Sequence, residues 1–416
     1  MTVLGQGYVG LPLAMRAVEV GYRVVGYDVD RARVKSLTAG ESYVEDVSDE
    51  VLGAALESGR YHPSSSEENL AGFDVAVITV PTPLREGNPD LSYIESSAAS
   101  VARHLSHGST VVLESTTYPG TTEELVLPVL EQASGLVAGE GFHLGYSPER
   151  IDPGNRTWTL VNTPKVVSGI GPASLAAVKA FYDTLVDRTV PVSSPATAEL
   201  CKLLENTFRH VNVALVNEMA MFASDLGIDV WEAIEAATTK PFGFMAFAPG
   251  PGVGGHCLPI DPSYLSWRVR RQLGRSFRFV ELANDVNDHM PDFVVRRLTE
   301  ALNRRRLAVN GSRVLLLGLA YKRNMGDARE SPALAVAERL LALGAEVRAA
   351  DPHVVEGHVS ERVARVEASA QEVADADLVV LLTDHDAFDL EKVATSARYV
   401  FDTRRGVPPG PGVEYL

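Results

Sequence analysis

A cysteine stands beside a glycine-rich loop in Pro251-Gly252-Val253-Gly254-Gly255-His256-Cys257-Leu258-Pro259-Ile260-Asp261-Pro262. Three glycines within four residues let the backbone come close to a ligand. With amides and a histidine adjacent, such surroundings favour a thiolate, so Cys257 is a candidate nucleophile. A small residue buried in a glycine-rich turn has the same spacing, and the residues alone leave both readings open. Cys201 is the control: it lies in a helical run beside Leu200 and Leu203, where core packing accounts for it.

Lys202 and Asn206 are spaced i, i+4, so on a helix both reach one point of its surface. A partly desolvated lysine can act as a base or stabilise a developing oxyanion, and a solvated polar face is the alternative. Gly5-Gln6-Gly7-Tyr8-Val9-Gly10 fits G-x-G-x-x-G after a short strand-like run, Thr2–Leu4, and before a helical one. Its glycines permit a tight turn, close approach of a diphosphate and close helix–strand packing, with the diphosphate at the helix N-terminus. Asp28 ends the second strand-like run, where a carboxylate accepts both ribose hydroxyls and repels a 2′-phosphate; NAD is therefore expected over NADP, with Arg33 nearby as the feature that argues the other way.

Ser115-Thr116-Thr117 and Ser147-Pro148-Glu149-Arg150 each follow an apolar strand-like run, at the carboxyl ends where open α/β sheets place their sites. Gly318-Leu319-Ala320-Tyr321-Lys322 and Arg329-Glu330-Ser331-Pro332 bring two cations after another strand, which suits a diphosphate. No H-E-x-x-H, cysteine pair or P-loop occurs, and the ten histidines are scattered, so no metal is expected.

The elements that position these residues alternate between strand and helix up to about residue 190, a parallel-sheet pattern. Ser194-Pro195 then opens a helical run with no breaker until Gly227. Helical stretches follow at 229–237, 261–271 and 280–306, and alternation returns from Ser312. The expected fold is α/β: two Rossmann-like doubly wound parallel-sheet domains joined by a long-helix central domain, with boundaries 1–189, 190–310 and 311–416. Only four residues precede Gly5, so the first strand is expected to be clipped or to start upstream.

The chain of 416 residues carries 38 Lys and Arg against 54 Asp and Glu, a net charge of −16, which argues against gripping the phosphates of long nucleic acids. No apolar run is long enough to span a bilayer, and no secretory leader pattern is present. Two cysteines make no disulfide framework, so a cytoplasmic protein is expected.

Taken together, these motifs resemble the UDP-glucose/GDP-mannose dehydrogenase family, from Gly5 to about Arg405. The resemblance implies an NAD-dependent enzyme that oxidises the C6 alcohol of a nucleotide-diphospho-sugar to a carboxylate in two two-electron steps. It implies an NAD domain, a helical dimerisation domain and a nucleotide-sugar domain, hence a homodimer through the central helices with neither nucleic acid nor membrane as partner. Carried over by position, Cys257 traps the aldehyde as a thiohemiacetal that is oxidised to a thioester. Lys202 and Asn206 steady the oxyanion and alkoxide, Asp261 and Thr116 order a water, and Glu149 stands close to the reacting sugar. The cofactor contacts implied are Gly5, Gly7, Tyr8, Val9, Gly10, Asp28, Arg33, Thr82, Thr116 and Arg329. Those implied for the substrate are Glu149, Arg150, Lys202, Asn206, Phe247, Gly250, Gly254 and Lys322.

Two departures bear on the sugar. UDP-glucose dehydrogenases usually carry a second glutamate where this chain has Pro153, and often a lysine two residues before the aspartate matching Asp261. The text Ser147–Asn155 and Lys240-Pro241-Phe242-Gly243-Phe244-Met245 is closer to the UDP-N-acetylglucosamine 6-dehydrogenase branch. The substrate expected is a UDP-hexose or UDP-N-acetylhexosamine, with dTDP-glucose or UDP-glucose as alternatives for the same chemistry. The rival classes are a non-catalytic NAD- and nucleotide-sugar-binding protein, a two-electron alcohol dehydrogenase without covalent chemistry, and an assembly scaffold.

Overall fold

The computed structural model describes residues 1–85, 87–152, 155, 157–255, 257–354 and 359–416, and the side chains of Cys257 and Pro259 lie outside that description. The chain forms two compact units, one from residues 1–205 and 263–275, the other from 206–262 and 276–416.

The first unit is built on six parallel strands: β1 (Thr2–Leu4), β2 (Val24–Tyr27), β3 (Tyr61–Ser64), β4 (Val75–Ile78), β5 (Thr110–Leu113) and β6 (His143–Tyr146). Their order is β3-β2-β1-β4-β5-β6, with Thr2 opposite Val25 on one side and Ala76 on the other. That is the dinucleotide-binding order, with its switch point beside β1. Strand alternation sorts the side chains between two cores. Val3, Val77 and Val112 pack with Leu11, Ala14 and Phe181, while Leu4, Ile78, Val111 and Leu113 pack with Ile94, Val101 and Leu130. Each fully buried aliphatic contributes roughly 1.5–3 kcal/mol. A separate parallel pair, β7 (Lys165–Val167) with β8 (Thr189–Pro191), completes the unit.

Strand β3 carries Pro63 and sits at the sheet edge, where a missing N–H is tolerated. The proline, and the lysine that opens β7, hide both strands from a hydrophobic-run reading of the sequence.

The long helix spans Pro195–Leu226, 32 residues. Ser194 Oγ accepts from Thr197 N at 3.2 Å to start it, and Gly227 ends it at φ +69°. A second helix spans Cys257–Leu273 and contains Pro262. The sequence reading starts it at Asp261, four residues later than the structure does. The earlier start makes Cys257 the first helical residue and puts Asp261 one turn later.

The second unit repeats the first architecture. Strands β9 (Arg313–Leu317), β10 (Glu346–Ala350), β11 (Ala364–Arg365), β12 (Leu378–Leu381), β13 (Val400–Asp402) and β14 (Val413–Tyr415) are parallel. Their order is β11-β10-β9-β12-β13-β14. Val314, Leu316, Val380 and Phe401 face one core and Leu315, Leu317, Val379 and Leu381 the other. The first of these cores is closed by helices Arg278–Arg304 and Pro332–Ala342. Among the described residues no helix is long and apolar enough to cross a membrane.

Candidate active site

The glycine loop after β1 is shaped by close contacts. Gly5 has φ +91°, and a Cβ on Gly10 would stand 1.9 Å from the Gly5 carbonyl oxygen, so no side chain fits there. A Cβ on Gly7 would meet nothing within 4 Å; it faces open space. The helix that follows, Gly10–Glu19, has no side-chain cap at its N-terminus, which leaves backbone N–H groups for an anion. Asp28 is buried, and its oxygens accept from Gln6 N at 2.8 Å and Asp30 N at 2.9 Å. Arg33 lies 3.7 Å from the Asp28 carboxylate and over the Tyr43 ring, whose hydroxyl donates to the Gln6 carbonyl at 2.6 Å. An open cradle, an uncapped helix and an acid at the end of β2 fit a dinucleotide diphosphate and ribose. Thr82 lies beyond β4, where its carbonyl accepts from Tyr264 Oη.

The equivalent place in the second unit is occupied by protein. Gly318 has φ +88°, and Asp351 at the end of β10 accepts from Leu319 N at 2.7 Å and Ala320 N at 2.9 Å, as Asp28 accepts from Gln6. Asp351 also takes His385 Nε2 at 3.0 Å and the amides of His353 and Val354, both at 2.9 Å. Although burial opposes it, these donors hold the Asp351 carboxyl well below the usual carboxylate range. With both oxygens spent, this acid has nothing left for a ribose.

In the first unit, Thr116 follows β5 between two committed neighbours. Ser115 Oγ donates to the Val80 carbonyl at 2.7 Å and Thr117 Oγ1 bonds Thr121 Oγ1 at 2.6 Å, while Thr116 itself is half-buried. Glu199 of the long helix anchors the loop beyond, accepting from Gly120 N at 2.5 Å, Thr122 N at 2.9 Å and Thr122 Oγ1 at 2.7 Å. Glu149 is buried, its Oε1 accepts from Ile151 N, and Lys202 Nζ donates to its backbone carbonyl at 2.6 Å. So Lys202 and Glu149 are brought together through the main chain. Arg150 turns to Glu205 and to the Pro164 carbonyl, 2.5 Å away.

In the second unit, Asn206 and Asp261 are both buried, and Asn206 Nδ2 donates to Asp261 Oδ2 at 2.6 Å. Cys257 opens the helix that carries Asp261; its side chain and His256 lie outside the described residues. The glycines before it allow a close approach within the protein. A Cβ on Gly254 would stand 2.6 Å from Tyr321 Cβ, and one on Gly255 2.6 Å from the Tyr321 ring, so the loop is pressed against Tyr321. Gly250 N donates to Asn217 Oδ1 at 2.9 Å, and Asn217 donates to Asn287 Oδ1 at 2.9 Å, which pins the loop from below. Phe247 packs edge-on to Phe208 at 5.9 Å. Lys322 is half-buried, and Arg329 forms a two-point pair with Asp327 at 2.9 and 2.7 Å.

Arg404 is a residue the sequence reading passes over. Its Nη1 lies 2.7 Å from where a Cβ on Gly250 would stand, while Nε donates to the Leu382 carbonyl at 2.7 Å. Its place just past β13, at a carboxyl strand end, is the signal that could have found it. Lys165, which opens β7, is passed over as well. Among the described residues no group of three His, Cys, Asp or Glu could hold a metal ion.

Models of the UDP-glucose/GDP-mannose dehydrogenase family match in three parts: the NAD binding domain at residues 1–186, the central domain at 196–289 and the UDP binding domain at 315–409. The chain is 37% identical to the UDP-N-acetyl-D-mannosamine dehydrogenase of Pyrococcus horikoshii, over 99% of this chain and 96% of that one. It is 39% identical to the UDP-N-acetyl-D-glucosamine 6-dehydrogenase of Pseudomonas aeruginosa, over 85% and 83%. The solved structure of a UDP-D-ManNAc dehydrogenase from Pyrococcus horikoshii superposes with a TM-score of 0.89 at 34% identity, covering 100% of this chain and 98% of the other. The chain belongs to the UDP-glucose/GDP-mannose dehydrogenase family.

Proposed function

We propose that this NAD-dependent nucleotide-sugar dehydrogenase oxidises the C6 alcohol of a UDP-N-acetylhexosamine to the carboxylate, a four-electron reaction that passes through Cys257. The observation that supports it most is the buried Asn206–Asp261 pair. Asn206 is one helical turn from Lys202, and Asp261 is one turn from Cys257 on the latter's own helix.

Gly5, Gly7, Gly10 and Asp28 would hold NAD⁺, which when bound accepts hydride. C6–H gives up its first hydride as the C6 hydroxyl loses its proton, leaving an aldehyde. The Cys257 thiolate adds to that carbonyl and, with a proton, gives a thiohemiacetal, whose C–H gives up the second hydride, to a second NAD⁺, as its hydroxyl loses a proton to leave a thioester. Water then cleaves the C–S bond, releasing the carboxylate and returning the thiol. A helix N-terminus favours a thiolate at its first residue, the place Cys257 holds. Lys202 and Asn206 offer an ammonium and an amide to the developing oxyanion. Asp261 and Thr116 order the hydrolytic water, and Glu149 faces the sugar. On the resemblance, Phe247, Gly250, Gly254 and Lys322 are assigned to the nucleotide-sugar and Arg329 to the cofactor. The segments 1–189, 190–310 and 311–416 divide the labour between cofactor, dimer contact and substrate.

The N-acetylated sugar rests on the segment 240–245 and on the substrates named for the relatives above. A homodimer rests on an apolar row along the long helix. Phe208, Leu215, Met219, Phe222 and Leu226 recur every three, four or seven residues and stand between 48% and 72% exposed over about 27 Å of helix. With two cysteines and no membrane-length helix among the described residues, a cytoplasmic setting is the reading we adopt.

Cys257→Ala tests the covalent route. The variant should bind NAD⁺ as the wild type does and form no uronate, a loss of at least a thousandfold. Uronate at the wild-type rate would show that the thiol takes no part.

A further inference from the structure

Lys165 is 2% exposed, and a buried ammonium is strongly unfavourable unless it is paired. Its Nζ lies 2.9 Å from Glu114 Oε1, 4.0 Å from Glu149 Oε2 and 5.2 Å from the centre of the Tyr182 ring. One cation therefore faces two buried carboxylates, where a structural ion pair would need only one. Glu114 Oε1 also accepts from Tyr182 Oη. Burial first, and the neighbouring Glu149 charge after it, push the Glu114 carboxyl upward in spite of Lys165.

The backbone around Lys165 points the same way. The carbonyls on either side of it hold the segment that carries Glu149: Arg150 donates to the Pro164 carbonyl at 2.5 Å and Ser147 Oγ to the Val166 carbonyl at 2.7 Å. Glu149 is thus held at its main chain by Lys202 and at Oε1 by Ile151 N. Its buried Oε2 makes no hydrogen bond to the described protein; the cation near it is Lys165, 4.0 Å away.

We propose that Lys165 is a positioning residue for Glu149: its ammonium, shared with Glu114, fixes where the Glu149 carboxylate stands when the sugar is bound. This rests on the reading of Glu149 as a group that acts on the substrate. A displacement of about 1 Å at such a group costs on the order of a hundredfold in rate.

The test is a set of full-length variants assayed for NADH release from UDP-N-acetylhexosamines, with thermal melts alongside. Lys165→Met should lower kcat at least tenfold and leave the KM for NAD within threefold. Added to Glu149→Gln, it should cost less than a further threefold, because both changes remove one function. Lys165→Met with Glu114→Gln removes the buried charge imbalance, so the melting temperature should recover while kcat stays low. Recovery of kcat in that double variant, or losses that multiply with Glu149→Gln, would show that Lys165 serves Glu114 alone and overturn the proposal. If Lys165→Met does not fold, the double variant with Glu114→Gln gives the answer. Wild-type turnover separates this inference from the reading beneath it. An inactive wild type overturns both, whereas an active wild type with an unimpaired Lys165→Met overturns only the role of Lys165.

Discussion

Asn206 gives its side-chain amide to Asp261 across 2.6 Å, with both groups buried. Only a donor on one side and an ionised or accepting carboxyl on the other can fill that space without cost. Asn206→Asp would set two carboxylates against each other, and one of them would have to take up a proton. The variant should lose at least a hundredfold in kcat at pH 8, and the loss should shrink at pH 6, where a shared proton restores the hydrogen bond. An equal loss at both pH values, read from NADH release at 340 nm, would contradict this role for the pair.

Asp28 joins the glycine loop to the end of β2 through Gln6 N, and it is the acid expected to meet the adenosine ribose. Asp28→Asn keeps the shape and removes the charge. The KM for NAD should rise about tenfold, which corresponds to about 1.4 kcal/mol, and the preference for NAD over NADP should narrow. Steady-state kinetics with both cofactors check it; an unchanged preference would remove Asp28 from cofactor choice.

Asp351 makes a stability prediction with a definite sign. Its folded carboxyl is held below the unfolded value by His385 and four backbone amides. A depressed acid contributes stability that is fully present above about pH 4 and is lost as pH falls through the folded value. Wild-type melting temperature should therefore fall steeply on acidification below about pH 4. Asp351→Asn should melt lower than wild type at pH 7 and show a shallower acid slope. Parallel acid slopes for the two proteins would count against the assignment.

The exposed row on the long helix predicts an assembly change. Phe222→Glu, at a position 56% exposed in the single chain, should convert a dimer to a monomer in light scattering while NAD binding is retained. A wild-type protein that is monomeric at micromolar concentration would remove the dimer reading.

Much of the fold was legible because its signals are local. The glycine loop, Asp28, the long helix and the central strands announce themselves by spacing and by apolar runs. Strand β3 was hidden by Pro63, and β7 by Lys165, because edge position and a buried ion partner are properties of the folded chain. The candidate site divides in the same way. Cys257, Lys202, Asn206 and Asp261 could be named from motifs, whereas the Asn206–Asp261 hydrogen bond could not. The glycines of the loop stand out in the sequence, whereas their close approach to Tyr321 at Gly254 and Gly255 does not. The closed acid of the second unit was also invisible, since Asp351 is filled by His385, distant in sequence.

The most direct test of the four-electron account is the NADH yield per sugar at the limiting-substrate endpoint, read at 340 nm. The panel comprises UDP-N-acetylglucosamine, UDP-N-acetylmannosamine, UDP-galactose, UDP-glucose, GDP-mannose and dTDP-glucose. Two NADH per sugar with a UDP-N-acetylhexosamine is the result predicted. One NADH per sugar would mean that the reaction stops at the aldehyde and that Cys257 has no role as nucleophile.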